Sequence, residues 1–143
     1  MDYRVVKEYI NELSLKQLES MKRIVSPVTL RKFIKTIINE EKSRYEAPIW
    51  FYIGTKNDHI IVPRLYCSCK YFVIRVMSEK QSLGCIHIVG QKLAEEKGLY
   101  RVVEMTHKEY LEAIYEVIKY GRSRIIRKIL YSSKTRKNHS KSM

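Results

Sequence analysis

The segment that decides the fold runs from Cys67 to His87 and reads CSCKYFVIRVMSEKQSLGCIH. It holds a Cys-x-Cys pair at Cys67 and Cys69 and, after fifteen intervening residues, a Cys-x-His pair at Cys85 and His87. A two-residue step on an extended or turning chain lets neighbouring thiols converge on one point, and thiolate and imidazole suit a tetrahedral zinc ion. All three cysteines of the chain fall in this pattern. We therefore predict one zinc ion bound by these four side chains.

The chemistry of this ligand set favours a structural ion over a catalytic one, because four protein ligands leave no open coordination position. Arg64 and Lys70 flank the first pair, and the second pair stands where a helix is expected to begin, so both pairs have surroundings that favour thiolates. One alternative is a set of buried thiols beside a core histidine. Another is an iron–sulfur cluster, which usually draws four cysteines. Two paired steps with no spare cysteine favour zinc.

The residues around the two pairs predict strands followed by a helix. Pro48–Thr55 and Ile60–Val62 are rich in aromatic and branched residues, and the turn residues Lys56-Asn57-Asp58 lie between them. Tyr71–Met77 is a further strand candidate. From Cys85 the apolar period becomes helical as far as Lys97, and Gly98 is placed to end that helix in a left-handed cap.

The first 45 residues are predicted to be helical. Ser14 with Gln17 three residues later matches a capping box. Ser26 before Pro27 predicts another helix start, with a helix over residues 26–41. The apolar stripe of that helix would be Leu30, Phe33, Ile34, Ile37 and Ile38.

The residues after Gly98 predict one strand and one long helix. Leu99–Met105 has strand character, and Thr106 with Glu109 forms a second capping box that opens the helix. Gly121 is a candidate break within it.

Residues 48–98 resemble the SWIM-type zinc finger, a family with a C-x-C…C-x-H signature on a ββα unit. The resemblance implies zinc on Cys67, Cys69, Cys85 and His87, and a role in binding DNA or protein. A subset of the family acts in homologous recombination beside paralogs of RecA-family recombinases. Its pattern ends in Ala three residues after the histidine, where this sequence has Gly90.

The predicted fold class is therefore α+β, with a ββα zinc finger of short antiparallel strands plus helix at residues 46–98. An N-terminal helical segment at 1–45 precedes it. A C-terminal helical segment at 99–131, read as a long basic helix, and a basic disordered tail at 132–143 follow it.

The charge of the chain indicates a polyanionic partner. Lys and Arg number 28 against 15 Asp and Glu, which gives a net charge of +13, and the stretch from Val117 to the end holds nine basic residues and no acid. Tyr120 and Tyr131 stand among these cations and are candidates for stacking on bases. We predict contact with nucleic acid, DNA in preference to RNA, through Arg122, Arg124, Arg127, Lys128, Lys134, Arg136 and Lys137.

Other function classes are weighed against this one. No Gly-rich phosphate loop, H-E-x-x-H motif or nucleophile elbow occurs, so we expect no enzymatic activity. No stretch of roughly 20 apolar residues occurs and the N-terminus lacks the apolar core of a signal peptide, so a cytoplasmic protein is expected and a membrane partner is not. The alternative is a protein–protein adaptor without nucleic-acid contact, serving a RecA-like ATPase or a mobile element or virus, with the apolar N-terminal helices as its surface.

Overall fold

A six-stranded sheet lies at the centre of the structure, a computed structural model that describes residues 3–78, 82 and 84–132. The strands are β1 (Phe33–Glu40), β2 (Ser43–Glu46), β3 (Trp50–Ile53), β4 (Asp58–Val62), β5 (Tyr66–Cys67) and β6 (Arg101–Met105). The α-helices are α1 (Tyr3–Glu12), α2 (Leu15–Glu19), α3 (Lys22–Thr29), α4 (Ile86–Lys97), α5 (His107–Tyr120) and α6 (Arg124–Leu130), and Phe72–Ser78 is π-helical. This arrangement confirms the predicted α+β class.

The order of the strands follows from β1, which is paired along both edges. One edge pairs in parallel with β6, and the other pairs antiparallel first with β3 and then with β2. β1 pairs with β3 at Ile34–Phe51 and with β2 at Ile37–Glu46. From one pair to the other, β1 advances by three residues and the opposite chain by five. Pro48 lies in this interruption, where its missing N–H costs no ladder bond. β4 and β5 extend the sheet beyond β3 in antiparallel pairs.

Both faces of the sheet are covered, so neighbouring residues of a strand enter different cores. Phe33 of β1 packs in a first core with α1–α4 and the π-helical segment. Its neighbour Ile34 packs in a second core with α5 and α6. Ile61 and Ile60 of β4 divide in the same way. The four predicted metal ligands belong to the side of the first core.

The predicted helix ends are largely confirmed. Ser14 and Thr106 form complete capping boxes at the starts of α2 and α5. Gly98 ends α4 with φ +67°, and Gly121 ends α5 with φ +76°. Both angles lie in the left-handed region that glycine enters without a steric penalty. The predicted long C-terminal helix is therefore two helices, α5 and α6.

The predicted helix over residues 26–41 is wrong, and the segment 1–45 is not wholly helical. α3 begins at Lys22, contains Pro27 and ends at Thr29, and Phe33–Glu40 forms β1. Phe33, Ile34, Ile37 and Ile38 are all buried. A strand with both faces covered is apolar nearly throughout, and its spacing then imitates the stripe of a helix.

The strand predicted over Tyr71–Met77 is also wrong, because Phe72–Ser78 is helical. Phe72 and Val76 are buried four residues apart, while Val73 and Ile74 between them are exposed. That spacing is helical, although the branched residues favour a strand. Among the residues described, no helix is both long and apolar enough to cross a bilayer.

Candidate metal centre

The first pair of predicted ligands is held by the β4–β5 hairpin. Cys67 ends β5 opposite Ile61 of β4. The backbone N–H of Ser68 donates to the Ile60 carbonyl at 2.9 Å, and the Ser68 hydroxyl accepts from the Ile60 N–H at 2.8 Å. These two bonds fix the residue between the cysteines, and Cys69 follows directly. The serine was not among the predicted site residues, although its place between two cysteines could have identified it.

The second pair is placed by the start of α4. Cys85 is the N-cap residue of α4, and its side chain makes no capping hydrogen bond within the described residues. Its carbonyl accepts from the Val89 N–H at 3.1 Å and so begins the helix. His87 lies in the first turn, facing the hairpin. Because the Cys85 thiol does not cap the helix, it can serve as a ligand.

The structure brings the four predicted ligands together. One donor atom from each of Cys67, Cys69, Cys85 and His87 lies within 4.8 Å of the others. The three cysteines are buried and free of disulfides. In a tetrahedral site with zinc about 2.3 Å from each sulfur, the sulfurs stand about 3.8 Å apart, so the donors would need to draw in by only about 1 Å. The group has the size and chemistry to hold a metal ion such as zinc.

The imidazole of His87 gives an independent test of that fit. Its Nδ1 atom is buried and lacks a hydrogen-bond partner within the described chain. The ring packs against Tyr52 and His59, each at 4.5 Å between ring centroids. A buried polar atom without a partner costs about 1–3 kcal/mol. A metal ion bound through this nitrogen would remove that cost.

Without a metal, the three thiols cannot all ionise in this buried place. Hydrogen bonds from Cys67 and then Cys85 lower the pKa of Cys69. Hydrogen bonds to Cys69 and Cys85, followed by burial, raise the pKa of Cys67. A divalent cation offsets the repulsion among three thiolates, and its binding displaces their protons. Metal affinity should accordingly increase with pH.

Arg64 was predicted to favour the thiolate forms of the cysteines, but its guanidinium is bound to other groups. Its guanidinium donates to the Glu95 carboxylate at 2.7 Å through Nη1 and to Asn11 Oδ1 at 3.1 Å through Nε. Arg64 therefore ties the β4–β5 turn to α4 and α1. It contributes to the site by holding these elements in place.

His59 is a neighbour of the site and was not among the predicted site residues. It lies in β4, pairs in register with Tyr52 of β3, and stacks on that ring at 6.0 Å. Burial, and then the nearby His87, lower the pKa of His59. Strand alternation could have found it, since residues 59 and 61 share a face and Ile61 faces the first core.

The predicted nucleic-acid residues divide into three groups. Arg122, Arg124 and Lys128 are exposed around α6. Lys134, Arg136 and Lys137, like the predicted tail beyond Ser132, lie outside the described residues. Arg127 occupies a different environment from the one predicted.

Arg127 is committed to an internal ion pair with Asp58. The Asp58 carboxylate is fully buried and accepts from Arg127 Nε at 3.1 Å and from the Ser123 N–H at 2.8 Å. Arg127 also donates to the Gly54 carbonyl at 2.9 Å. This pair joins the start of β4 to α6, so we exclude Arg127 from the nucleic-acid surface. A buried carboxylate requires a partner, and Arg127 supplies it.

A cluster of tyrosines and cations extends the surface beside α6. The Lys119 ammonium lies 5.5 Å from the ring centre of Tyr115 and 5.6 Å from that of Tyr120. Arg122 and Arg124 line the same groove as the two rings, together with Glu112 and Glu116, of which Glu116 accepts from the Ser123 hydroxyl. We call Tyr115, Lys119, Tyr120, Arg122, Arg124 and Lys128 the α5–α6 surface. Tyr120 was predicted as a stacking residue, whereas Tyr115 was missed because it lies one helical turn before the basic stretch.

In comparisons with known proteins, no family model matches this chain, and no curated protein or solved structure is significantly similar to it.

Proposed function

We propose that this chain is a non-enzymatic zinc-binding module that binds nucleic acid, DNA in preference to RNA. The zinc part rests on the buried Cys3His group, whose donors lie within 4.8 Å of one another. The order β4, β5, α4, with ligands at the end of β5 and the start of α4, supports a SWIM-type ββα finger within residues 46–98. A ligand set that is complete with four protein side chains supports a structural ion.

The α5–α6 surface is the observation that carries the nucleic-acid part. It presents exposed cations beside two exposed tyrosine rings, on a chain with a net charge of +13. Cations track the phosphate backbone, and aromatic rings stack on bases without reading sequence. We therefore expect binding with little sequence preference.

A zinc ion would stabilise the structure of the protein but would not strengthen its attraction to nucleic acid. Three thiols release protons as one divalent ion enters, so the formal charge falls by only one from +13. The ion would join the β4–β5 hairpin to α4. Attraction to polyanions then comes from the surface cations alone.

A salt titration of DNA binding tests the proposal. Fluorescence anisotropy with labelled DNA should show affinity that falls steeply with salt, with a log–log slope of roughly −0.7 to −0.9 per phosphate neutralised. The triple variant Arg122→Ala, Arg124→Ala, Lys128→Ala should bind more weakly and with a shallower slope. The matched control Lys7→Ala, Lys16→Ala, Lys42→Ala removes the same charge from exposed positions elsewhere. Equal affinities and slopes for the two triple variants would refute the α5–α6 surface.

The second candidate is a protein adaptor, as in the recombination subset of the SWIM family. The N-terminal helices bury part of their apolar residues in the first core, while Val5, Leu15, Val25 and Leu30 stay exposed and keep the predicted surface available. The exposed apolar side chains of the π-helical segment, Val73, Ile74 and Met77, are a further candidate surface. Co-purification with a RecA-like ATPase that is lost in Ile74→Ser and retained in the α5–α6 triple variant would favour this candidate.

A further inference from the structure

A cleft of about 1120 Å³ opens beside the predicted metal ligands. Its walls come from places that are distant in sequence, among them the start of α3, the start of β4, the Lys70-Tyr71 step after the cysteine pair, the first turn of α4 and the end of α5. Cys69, Cys85 and His87 form part of its lining. We call this space the zinc-side cleft. The predicted zinc ion would hold two of its walls, the Lys70-Tyr71 step and α4, in a fixed relation.

The charges at the cleft are positive. Lys22, Arg23 and Lys70 line it, and all three are exposed. The single acid in the lining is Asp58, whose carboxylate is already bound by Arg127. None of the three cations forms an ion pair within the part of the chain that the structure describes. They remain available to an anionic ligand.

The cleft also offers aromatic and apolar surface. Tyr9, Tyr66, Tyr71 and His59 line it, and Tyr71 is 51% exposed. A ligand made only of phosphates would need only the three cations. The aromatic rings beside these cations therefore indicate a ligand that also has planar, apolar groups. In a duplex the faces of the bases are covered by stacking, whereas unpaired bases expose them. Unpaired nucleotides carry both phosphates for the cations and accessible base faces for the rings.

We propose that the zinc-side cleft binds unpaired bases of a single-stranded nucleic acid, with Tyr71 as a stacking residue and Lys22, Arg23 and Lys70 as phosphate contacts. This inference rests on the proposed nucleic-acid function and deepens it by naming a second site and the strand state. A zinc ion held by Cys69, Cys85 and His87 would act here as a positioning ion, since it would hold the Lys70-Tyr71 step against α4.

The position of the cleft next to the α5–α6 surface supports one continuous path. Val117, Ile118 and Gly121 line the cleft, while Tyr115, Tyr120 and Arg122 line the groove on the other side of the same helix end. Ile118 lies between the two and is 69% exposed. A strand that crosses the end of α5 would meet the cations of the α5–α6 surface and the cleft in succession.

Three probes of one length separate the contributions of base and phosphate. They are a fluorescent fifteen-nucleotide oligo-dT, a fifteen-nucleotide abasic strand with the same phosphates, and a fifteen-base-pair duplex. The cleft variant is Lys70→Ala, Tyr71→Ala. Its matched control is Lys42→Ala, Tyr45→Ala, which removes one exposed lysine and one exposed tyrosine at the β1–β2 hairpin. Zinc content and thermal melting confirm that each variant is folded.

We expect the unaltered protein to bind oligo-dT about tenfold more tightly than the abasic strand, as stacking on an aromatic ring provides. The cleft variant should reduce this ratio to near one, and the control should leave it within about twofold. A cleft variant that keeps the full ratio overturns the inference, as does equal binding of oligo-dT and the abasic strand by the unaltered protein. Tighter binding of polyglutamate than of oligo-dT would overturn it in favour of an acidic protein segment.

The failure of this inference differs from the failure of the proposed function. If only the cleft is wrong, all three probes still bind and the Arg122, Arg124, Lys128 variant still weakens them. If the proposed function is wrong, none of the probes binds even at low salt.

Discussion

Gly90 occupies a position in α4 where a larger residue would meet the ring of Phe33. A Cβ atom built on Gly90 would stand 2.7 Å from Phe33 Cζ, closer than two carbon atoms can approach without movement. Phe33 is buried and packs edge-on against Tyr52, whose ring in turn contacts His87. The small residue therefore lets α4 approach β1 and keeps His87 at the cysteine pair. The Phe33 ring is the physical reason for glycine at this position.

We expect Gly90→Ala to lower the free energy of unfolding by about 1–2 kcal/mol, because the clash outweighs the gain of about 1 kcal/mol in helix propensity. In the Phe33→Leu background, which lacks the Cζ atom, the same substitution should raise the free energy of unfolding. Urea denaturation of the four proteins in this double-mutant cycle measures both effects. The same sign of change in both backgrounds would contradict the role assigned to Phe33.

At the scale of elements, Lys92 joins α1 to α4 inside the first core. Its ammonium is buried and donates to the carbonyl oxygens of Ile10, Asn11 and Leu13 at 2.8, 3.0 and 2.7 Å. These carbonyls lie at the C-terminal end of α1, where no further helical N–H groups are available to donate to them. A cation at this end also suits the helix dipole. The lysine thus caps one helix from another that lies about eighty residues later in the chain.

We expect Lys92→Met to detach α1, because it keeps the length of the side chain but leaves three carbonyls without a donor. The free energy of unfolding should fall by roughly 3–5 kcal/mol, since hydrogen bonds to charged groups contribute about 1.5–3 kcal/mol each and do not add fully. Hydrogen exchange should show loss of protection in residues 3–12. The control Lys97→Met removes a surface pair with Glu19, which contributes under about 1 kcal/mol. Full protection of α1 in Lys92→Met would argue against this cap.

The elements also show how far sequence predicts this fold. Capping boxes and glycines in the left-handed conformation depend only on neighbouring residues. The helix ends were therefore predicted correctly at Ser14, Thr106, Gly98 and Gly121. β1 was misread because its burial on both faces depends on tertiary packing against the helices of both cores. The metal ligands were predictable because each pair is local and its residue types are specific. The commitment of Arg127 to Asp58 was not, since 69 residues separate the partners.

For the molecule as a whole, the two faces of the sheet should respond differently to loss of metal. The first core contains all three cysteines of the ligand set, whereas the second core is built from apolar residues of β1, β3, β4, β6, α5 and α6 without any of them. Structural zinc contributes about 10–16 kcal/mol of apparent binding free energy in small fingers, more than the net stability of many domains. Here the second core contains none of the four predicted metal ligands. Metal removal should therefore loosen one face and leave the other in place.

We expect a zinc chelator to abolish hydrogen-exchange protection in the hairpin end, the π-helical segment and the first turns of α4, while α5 and β6 stay protected. Loss of the ion leaves three buried thiols and one imidazole without the bonds that hold β5 against α4. The free energy of local unfolding there then falls below that of the rest of the chain. Cys85→Ser should reproduce this pattern without chelator and should lack stoichiometric zinc by elemental analysis. The chelator should then change nothing further in that variant, which separates metal removal from any other effect of the reagent. One zinc per chain in Cys85→Ser would refute the ligand set, and uniform loss of protection in both cores would show that the ion supports the whole fold.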